Sequence, residues 1–347
     1  MKLADYVINF FASKGIDKMF VVYGAANAPL VDAFKRIKKT KYIATIHEQA
    51  GGFAAEGYAK TKKVPGIAIA TSGPGGMNLV TPIGNCYYDS VPAIFITGQV
   101  NSKFMRKSRE IRQVGFQETD IVDIVKPITK YSTIIKNPLE IKSKLELAWH
   151  YANEGRKGPV LIDIPFNIQG FNLQLNKLKS HKIIKNKTNF KIEDKIKKLI
   201  KDLNKFDRPC LLIGGGIKSA NANKELLSLG RTLKIPMFPT WNALDVVSSD
   251  YKYYAGRIGT YGGAGRNFGI QNSNLLISIG SRISGRITGG NVPSFAREAK
   301  KYCIDIDKPA LNKKHQQVKI DENIYCDAKF FISKFNNYLK KINYKNN

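Results

Sequence analysis

The chain has 347 residues, 43% hydrophobic and 24% charged, enough length for two domains and an ordinary balance for a globular protein. Its formal net charge of +29 is the footprint of many nucleic-acid binders. Here, though, the excess is lysine scattered along the chain, with no arginine-rich helix, basic–aromatic interleaving or recognition-helix pattern, which argues against a nucleic-acid partner. No apolar run approaches the roughly 18 residues that cross a bilayer, and no secretory leader precedes the first helical pattern, so the expectation is a cytoplasmic protein without a membrane partner.

In chain order, residues 3–13 carry apolar side chains at helical spacing and stop at Gly15, a fitting cap. Short β-rich runs follow at 19–22, 42–46, 66–71, 93–97 and 160–164, with helical stretches at 28–38, 48–60 and 139–154. Continuous apolar strands alternating with helices predict a parallel sheet covered on both faces. Past Pro165 the periodicity fades, and 172–190 is rich in lysine and asparagine, as in a linker. A second unit opens near Ile192, with strands at 210–213, 235–238, 275–279 and 302–306. Its first strand runs into Gly214-Gly215-Gly216 and then a helix, the start of a doubly wound nucleotide-binding fold. The expected architecture is α/β, with two doubly wound parallel-sheet domains at 1–170 and 192–347 joined by a linker at 171–191. The cysteines (Cys86, Cys210, Cys303, Cys326) stand far apart with no Cys-x-x-Cys, so neither a metal site nor a disulfide framework is expected.

Three glycine-rich strand ends mark the first unit: Gly24 after Val21-Val22-Tyr23, the Thr71-Ser72-Gly73-Pro74-Gly75-Gly76-Met77-Asn78 turn, and Gly98-Gln99. Ligands of open parallel sheets bind at the carboxyl ends of strands, where glycine lets them approach backbone. Glu48 starts a helix just after a strand and turns its carboxylate toward the same rim. Spacing alone leaves plainer accounts open: Glu48 as a helix-start acid favoured by the dipole, and Thr71, Pro74 and Asn78 as a tight turn and helix entry.

His47-Glu48-Gln49, Ala54-Ala55-Glu56-Gly57-Tyr58-Ala59, Thr71-Ser72-Gly73-Pro74-Gly75 and Asn78-Leu79 together resemble the pyrimidine-binding domain of thiamine-diphosphate enzymes. Tyr88-Asp89-Ser90-Val91-Pro92, Thr97-Gly98-Gln99-Val100 and Phe116-Gln117-Glu118 are similar to acetolactate synthase large subunits in particular. Gly158-Pro159-Val160 and Asp163-Ile164-Pro165 close the domain as in that family. The resemblance implies thiamine diphosphate as cofactor and a 2-keto acid as substrate, decarboxylated and then joined to a second, as in branched-chain amino acid biosynthesis. The family's catalytic carboxylate falls on Glu48, which would share a proton with N1′ of the aminopyrimidine, apolar surroundings raising its pKa. The resemblance sets Gly24, Thr71, Pro74 and Asn78 against the pyrimidine, Gln117 near the reacting centre and Phe116 in the substrate pocket. In the second unit Gly214 and Gly215, residues 259–262 and 282–289, and Asp305 lie where the family holds FAD. Arg282 also matches an arginine that helps select the second keto acid.

Departures temper that picture. The loop Gly24-Ala25-Ala26-Asn27-Ala28-Pro29 lacks the family's Pro-Gly, Phe166 stands for a lysine, and Ser284-Gly285 for an aspartate pair, which bears on FAD and on acetolactate specificity. The loop before Phe116 is longer. No Gly-Asp-Gly occurs, so the C-terminal diphosphate-binding domain is expected to be absent, with the ligands of magnesium and of the diphosphate outside this chain, which is then either a truncated sequence or one half of a split enzyme; the expected partner is a homo-oligomer or a chain carrying that domain. The alternatives are another thiamine-diphosphate lyase or decarboxylase, or a noncatalytic flavin- or nucleotide-binding remnant. A dehydrogenase is disfavoured, because no catalytic His-Asp arrangement accompanies the glycine turn.

Overall fold

The computed structural model describes residues 1–181 and 190–345, so residues 182–189 of the predicted linker lie outside the described residues. Contacts divide the chain into Met1–Lys185 and Asn186–Asn347, each with its own sheet and core.

The first unit holds β1 (Lys18–Val21), β2 (Lys41–Ala44), β3 (Gly66–Ala70), β4 (Ala93–Gln99), β5 (Tyr131–Ile134) and β6 (Pro159–Pro165) in one sheet, order β2-β1-β3-β4-β6-β5. Every pairing is parallel. On one face the Leu3–Ser13 and Ile141–Asn153 helices bury Leu3, Val7, Phe11, Leu145 and Ala148. On the other, the Glu48–Lys62 and Val80–Asp89 helices cover Ala68, Ala70, Phe95 and Leu161. The small residues of the Glu48–Lys62 helix now have a reason: it lies so close to β3 that a Cβ on Gly66 would fall 1.8 Å from the Ala55 carbonyl oxygen. Past β6 the chain returns to the first helix, where Leu3 N–H donates to Phe171 O and Leu173 N–H to Met1 O.

The strand order reverses between β1 and β3, so the loops leaving these two strands part to opposite sides and open a crevice at their carboxyl ends. β2 is an edge strand with every residue exposed, and just beyond it Ile46 stands fully in solvent.

The second unit carries β7 (Pro209–Ile213), β8 (Met237–Pro239), β9 (Leu275–Ile279), β10 (Lys300–Asp305) and β11 (Glu322–Tyr325), all parallel, order β11-β10-β9-β7-β8. Its order reverses between β7 and β9. The Glu193–Lys205, Asn223–Leu233 and Ala328–Lys341 helices bury Ile196, Leu199, Leu226, Leu229, Phe331 and Phe335 in one core. Two doubly wound parallel sheets are therefore the observed fold. Two strands exceed the expectation, β5 and β11, both at sheet edges.

All four cysteines are buried and unbridged, and burial pushes the Cys210 and Cys303 thiols up to about 12. Among the described residues, no helix is long and apolar enough to cross a membrane.

Gly66→Ala should destabilise the first unit by about 1–3 kcal/mol, since the obstructing atom is backbone and cannot step aside. Gly57→Ala, on the Glu48–Lys62 helix, meets nothing within 4 Å and should instead stabilise by up to about 1 kcal/mol. Urea midpoints of the two variants check the pair.

Candidate functional site at the strand ends

At the β1/β3 crevice the turns approach to contact. A Cβ on Gly24 would lie 2.5 Å from Thr71 Cβ, so only glycine fits. Ala26 N–H donates to Thr71 Oγ1 at 3.2 Å, tying the loop after β1 to the turn after β3. Pro74 opens the short Pro74–Asn78 helix, its fixed φ suited to a first helical position. Asn78, at that helix's end, donates from Nδ2 to Glu48 Oε2 at 2.9 Å. The other carboxylate oxygen, Oε1, has no donor among the described residues and would lie 3.2 Å from a Cβ on Gly75. Glu48 itself is half-buried at the first position of its helix, which His47 caps by accepting Gln49 N–H on Nδ1 at 3.2 Å. Gly24, Glu48, Thr71, Pro74 and Asn78, predicted as one set, thus meet at one rim.

Gln117 joins them through backbone. Gly73 and Gln117 both have φ of 60°, and a Cβ on Gly73 would lie 2.7 Å from both Gln117 Cβ and its carbonyl oxygen. The strained Gln117 backbone therefore rests on the Gly73 turn. Phe116 beside it is 84% exposed, so it has no packing role within this unit. The loop is built around Glu118, a buried acid whose carboxylate accepts the N–H groups of Arg106 at 2.7 Å, Val114 at 3.1 Å and Gly115 at 3.3 Å. Arg106 closes it, donating to the carbonyls of Ile111 and Arg112 and pairing with Asp120.

Sequence reasoning assigned no role to the polar node beneath this loop. Asp163 on β6 is 1% exposed and accepts from Thr97 Oγ1 and Gln99 Nε2 of β4. Desolvation lifts its carboxyl to about 7, against the pull of those two hydrogen bonds. An aspartate inside an otherwise apolar strand (Val160-Leu161-Ile162-Asp163-Ile164) was the available signal.

In the second unit the predicted glycines pack against neighbouring turns. A Cβ on Gly214 would lie 1.9 Å from the Gly280 carbonyl oxygen, and one on Gly215 would lie 3.1 Å from Asn242 Cβ. Their smallness thus serves the approach of the turn after β7 to those after β9 and β8. Asp305 Oδ1 accepts Asp307 N–H at 2.9 Å, closing a local turn. Arg282 is exposed at the same edge. Not anticipated was an aromatic–cation cluster: Trp241 and Tyr261, 58% and 60% exposed, have ring centroids 5.7 Å apart. Arg257 lies over Trp241 at 5.0 Å and Arg286 over Tyr261 at 5.7 Å. Among the described residues no group of three His, Cys, Asp or Glu side chains could hold a metal.

Residues 1–124 match the N-terminal TPP binding domain of the thiamine pyrophosphate enzymes, and residues 196–335 match the central domain. The chain is 34% identical to a probable acetolactate synthase large subunit of Methanococcus aeolicus, over 99% of its own length and 56% of that protein's. To the acetolactate synthase large subunit of Corynebacterium glutamicum it is 36% identical over 91% of this chain and 50% of the relative. To acetolactate synthase isozyme 2 large subunit of Escherichia coli it is 33% identical over 91% and 56%. The chain spans about half the length of the curated relatives it matches.

Asp163 gives the site a pH signature. The native carboxyl keeps its proton up to about pH 7, whereas the unfolded one loses it near the usual carboxylate value. This group's contribution is therefore fully present in acid and is lost as pH rises from about 4 to about 7. Asp163→Asn should be more stable than wild type at pH 8, by an amount on the order of a few kcal/mol, and little different at pH 4. Thermal melts at the two pH values measure it.

Proposed function

The chain belongs to the thiamine pyrophosphate enzyme family, of which it carries the N-terminal and central domains, and from that premise we propose that its first unit seats the aminopyrimidine of thiamine diphosphate against Glu48, in a 2-keto acid decarboxylation and carboligation of the acetolactate synthase kind. The observation that carries this reading is the Glu48 carboxylate, one oxygen tied to Asn78 and the other without a donor among the described residues, at a glycine-lined crevice. A single available carboxylate oxygen suits a ring N–H, and Gly75, whose Cβ would lie 3.2 Å from that oxygen, leaves it uncovered by a side chain.

When bound, thiamine diphosphate supplies the carbanion chemistry that releases carbon dioxide from a 2-keto acid. This chain's residues supply orientation and a proton. Glu48 Oε1 would share a proton with the pyrimidine nitrogen, and Asn78, by holding Oε2, would keep Oε1 available for it. Thr71, its hydroxyl bonded by Ala26 N–H, offers its methyl as floor. Pro74 fixes the entry of the helix that carries Asn78. Gln117 would act near the reacting centre from the loop, and Phe116 would line the substrate pocket. With no Gly-Asp-Gly among these 347 residues, the magnesium and diphosphate ligands would come from a diphosphate-binding domain outside them, and branched-chain amino acid synthesis is the pathway class.

For the second unit the reading is a flavin or nucleotide. The Trp241–Tyr261 pair, ringed by Arg257 and Arg286, favours a planar ring with phosphates, and Arg282 and Asp305 stand at the same sheet edge. A yellow chromophore that copurifies and weakens about 3- to 10-fold in affinity on Trp241→Ala, the worth of one aromatic contact, would support it.

The catalytic reading is tested by supplying the chain with the C-terminal portion of a relative such as the Methanococcus aeolicus protein. The complemented protein should consume pyruvate, and Glu48→Gln should lower kcat by about 10²–10⁴ with thiamine diphosphate still bound. The 347-residue chain alone should bind the cofactor weakly and consume none. Substantial consumption by it alone contradicts the proposal. A flavin-bearing protein with no turnover even when complemented favours the noncatalytic alternative.

A further inference from the structure

The buried acid under the Phe116–Gln117 loop is connected to it. Asp163 lies opposite Thr97 in the β4/β6 register, with Thr97 Oγ1 donating to Oδ1 at 2.7 Å and Gln99 Nε2 to Oδ2 at 2.9 Å. The same Gln99 Nε2 also donates to the Thr119 carbonyl at 2.8 Å, and Gln99 Oε1 accepts Val100 N–H at 2.9 Å. Gln99 is 2% exposed. Thr119 follows directly on Gln117 and Glu118. We propose that Asp163 is a positioning residue for the loop presenting Phe116 and Gln117, acting by fixing the orientation of the Gln99 amide that holds the Thr119 carbonyl.

An ionised carboxylate only accepts, so Gln99 must aim its NH₂ at Asp163 and, with its second hydrogen, at Thr119. A flipped amide would set its oxygen against the carboxylate and its NH₂ against Val100 N–H. A protonated Asp163 removes the bar: its O–H can donate to Gln99 Oε1, and the flip then leaves the Thr119 carbonyl and Val100 N–H without partners. Both forms of the acid are populated near neutral pH, because burial holds its carboxyl at about 7. Among the described residues no other charged side chain is bonded to this carboxyl. Just past β5, Ile135 N–H donates to the Asp163 carbonyl at 2.9 Å. In the loop and the Ile121–Val125 helix, Glu118 is taken by backbone N–H groups, Asp120 by Arg106 and Asp123 by Arg109. At the crevice Glu48 is engaged by Asn78.

That the loop serves a cofactor is the reading above; its attachment is measurable without one, so the two ideas fail separately. Trypsin sites at Lys107, Arg109 and Arg112 report release of the loop in the whole chain. Corrected with a peptide substrate, wild-type loop cleavage should be about tenfold faster at pH 6 than at pH 8, the net worth of one hydrogen bond. Asp163→Asn, whose amide donates to Gln99 Oε1 at any pH, should be cut at the fast rate at both. Gln99→Met, which has no amide to orient, should behave the same and serves if the first variant does not fold. Circular dichroism melts identify folded variants. Equal wild-type cleavage at the two pH values, or a pH ratio that survives in a folded variant, overturns the proposal.

Discussion

Close backbone approach at the points where each sheet reverses direction is the constraint from which the rest follows. In the first unit it appears as Gly24 against Thr71 and Gly98 against the Ala26 carbonyl, where an added Cβ would fall 2.1 Å from oxygen. In the second it is Gly214 against Gly280. Parallel strands need crossovers, crossovers part where the order reverses, and the loops left there can converge only where side chains are missing. The Glu48 carboxylate inherits its place from this geometry. Its helix can start at the rim because the turn carrying Asn78 has been drawn in beside it.

Much of the first unit was legible in sequence, for reasons that differ by element. The Leu3–Ser13 helix is marked by strong apolar periodicity, and its bounds agree with the expected 3–13. β3, β4 and β6 are buried on both faces and carry apolar runs at Ile67–Ala70, Ala93–Ile96 and Val160–Ile162, a clear strand signal. β5 reads Tyr-Ser-Thr-Ile and β11 Glu-Asn-Ile-Tyr, edge strands in which polar residues interrupt the pattern. Four residues of mixed character carry too little periodicity to be told from loop. They were missed accordingly.

The site divides the same way. Glu48, Thr71, Pro74 and Asn78 lie next to strong strand and helix signals, so their convergence could be anticipated. The Asp163–Gln99–Thr119 link depends on parallel register between β4 and β6 and on a loop's return path, neither of which a single sequence specifies. Trp241 and Tyr261 are far apart in the chain, and a ring contact across two loops has no local signature. Conversely, the glycine triplet after β7 was legible as a glycine turn, yet its residues answer to a neighbouring turn. Glycine counts therefore locate close approach without saying what approaches.

The exposed rim beside the crevice has a consequence of its own. Tyr42, Ile43 and Ile46 present hydrocarbon to water along an unpaired strand edge, a surface inclined to stick to its like. What opposes this in dilute buffer is mutual repulsion between molecules bearing a net charge of +29. That repulsion reaches only about 10 Å at 0.1 M ionic strength and about 3 Å at 1 M. Added salt therefore strips away the long-range barrier while leaving the short-range attraction of Tyr42, Ile43 and Ile46 in place.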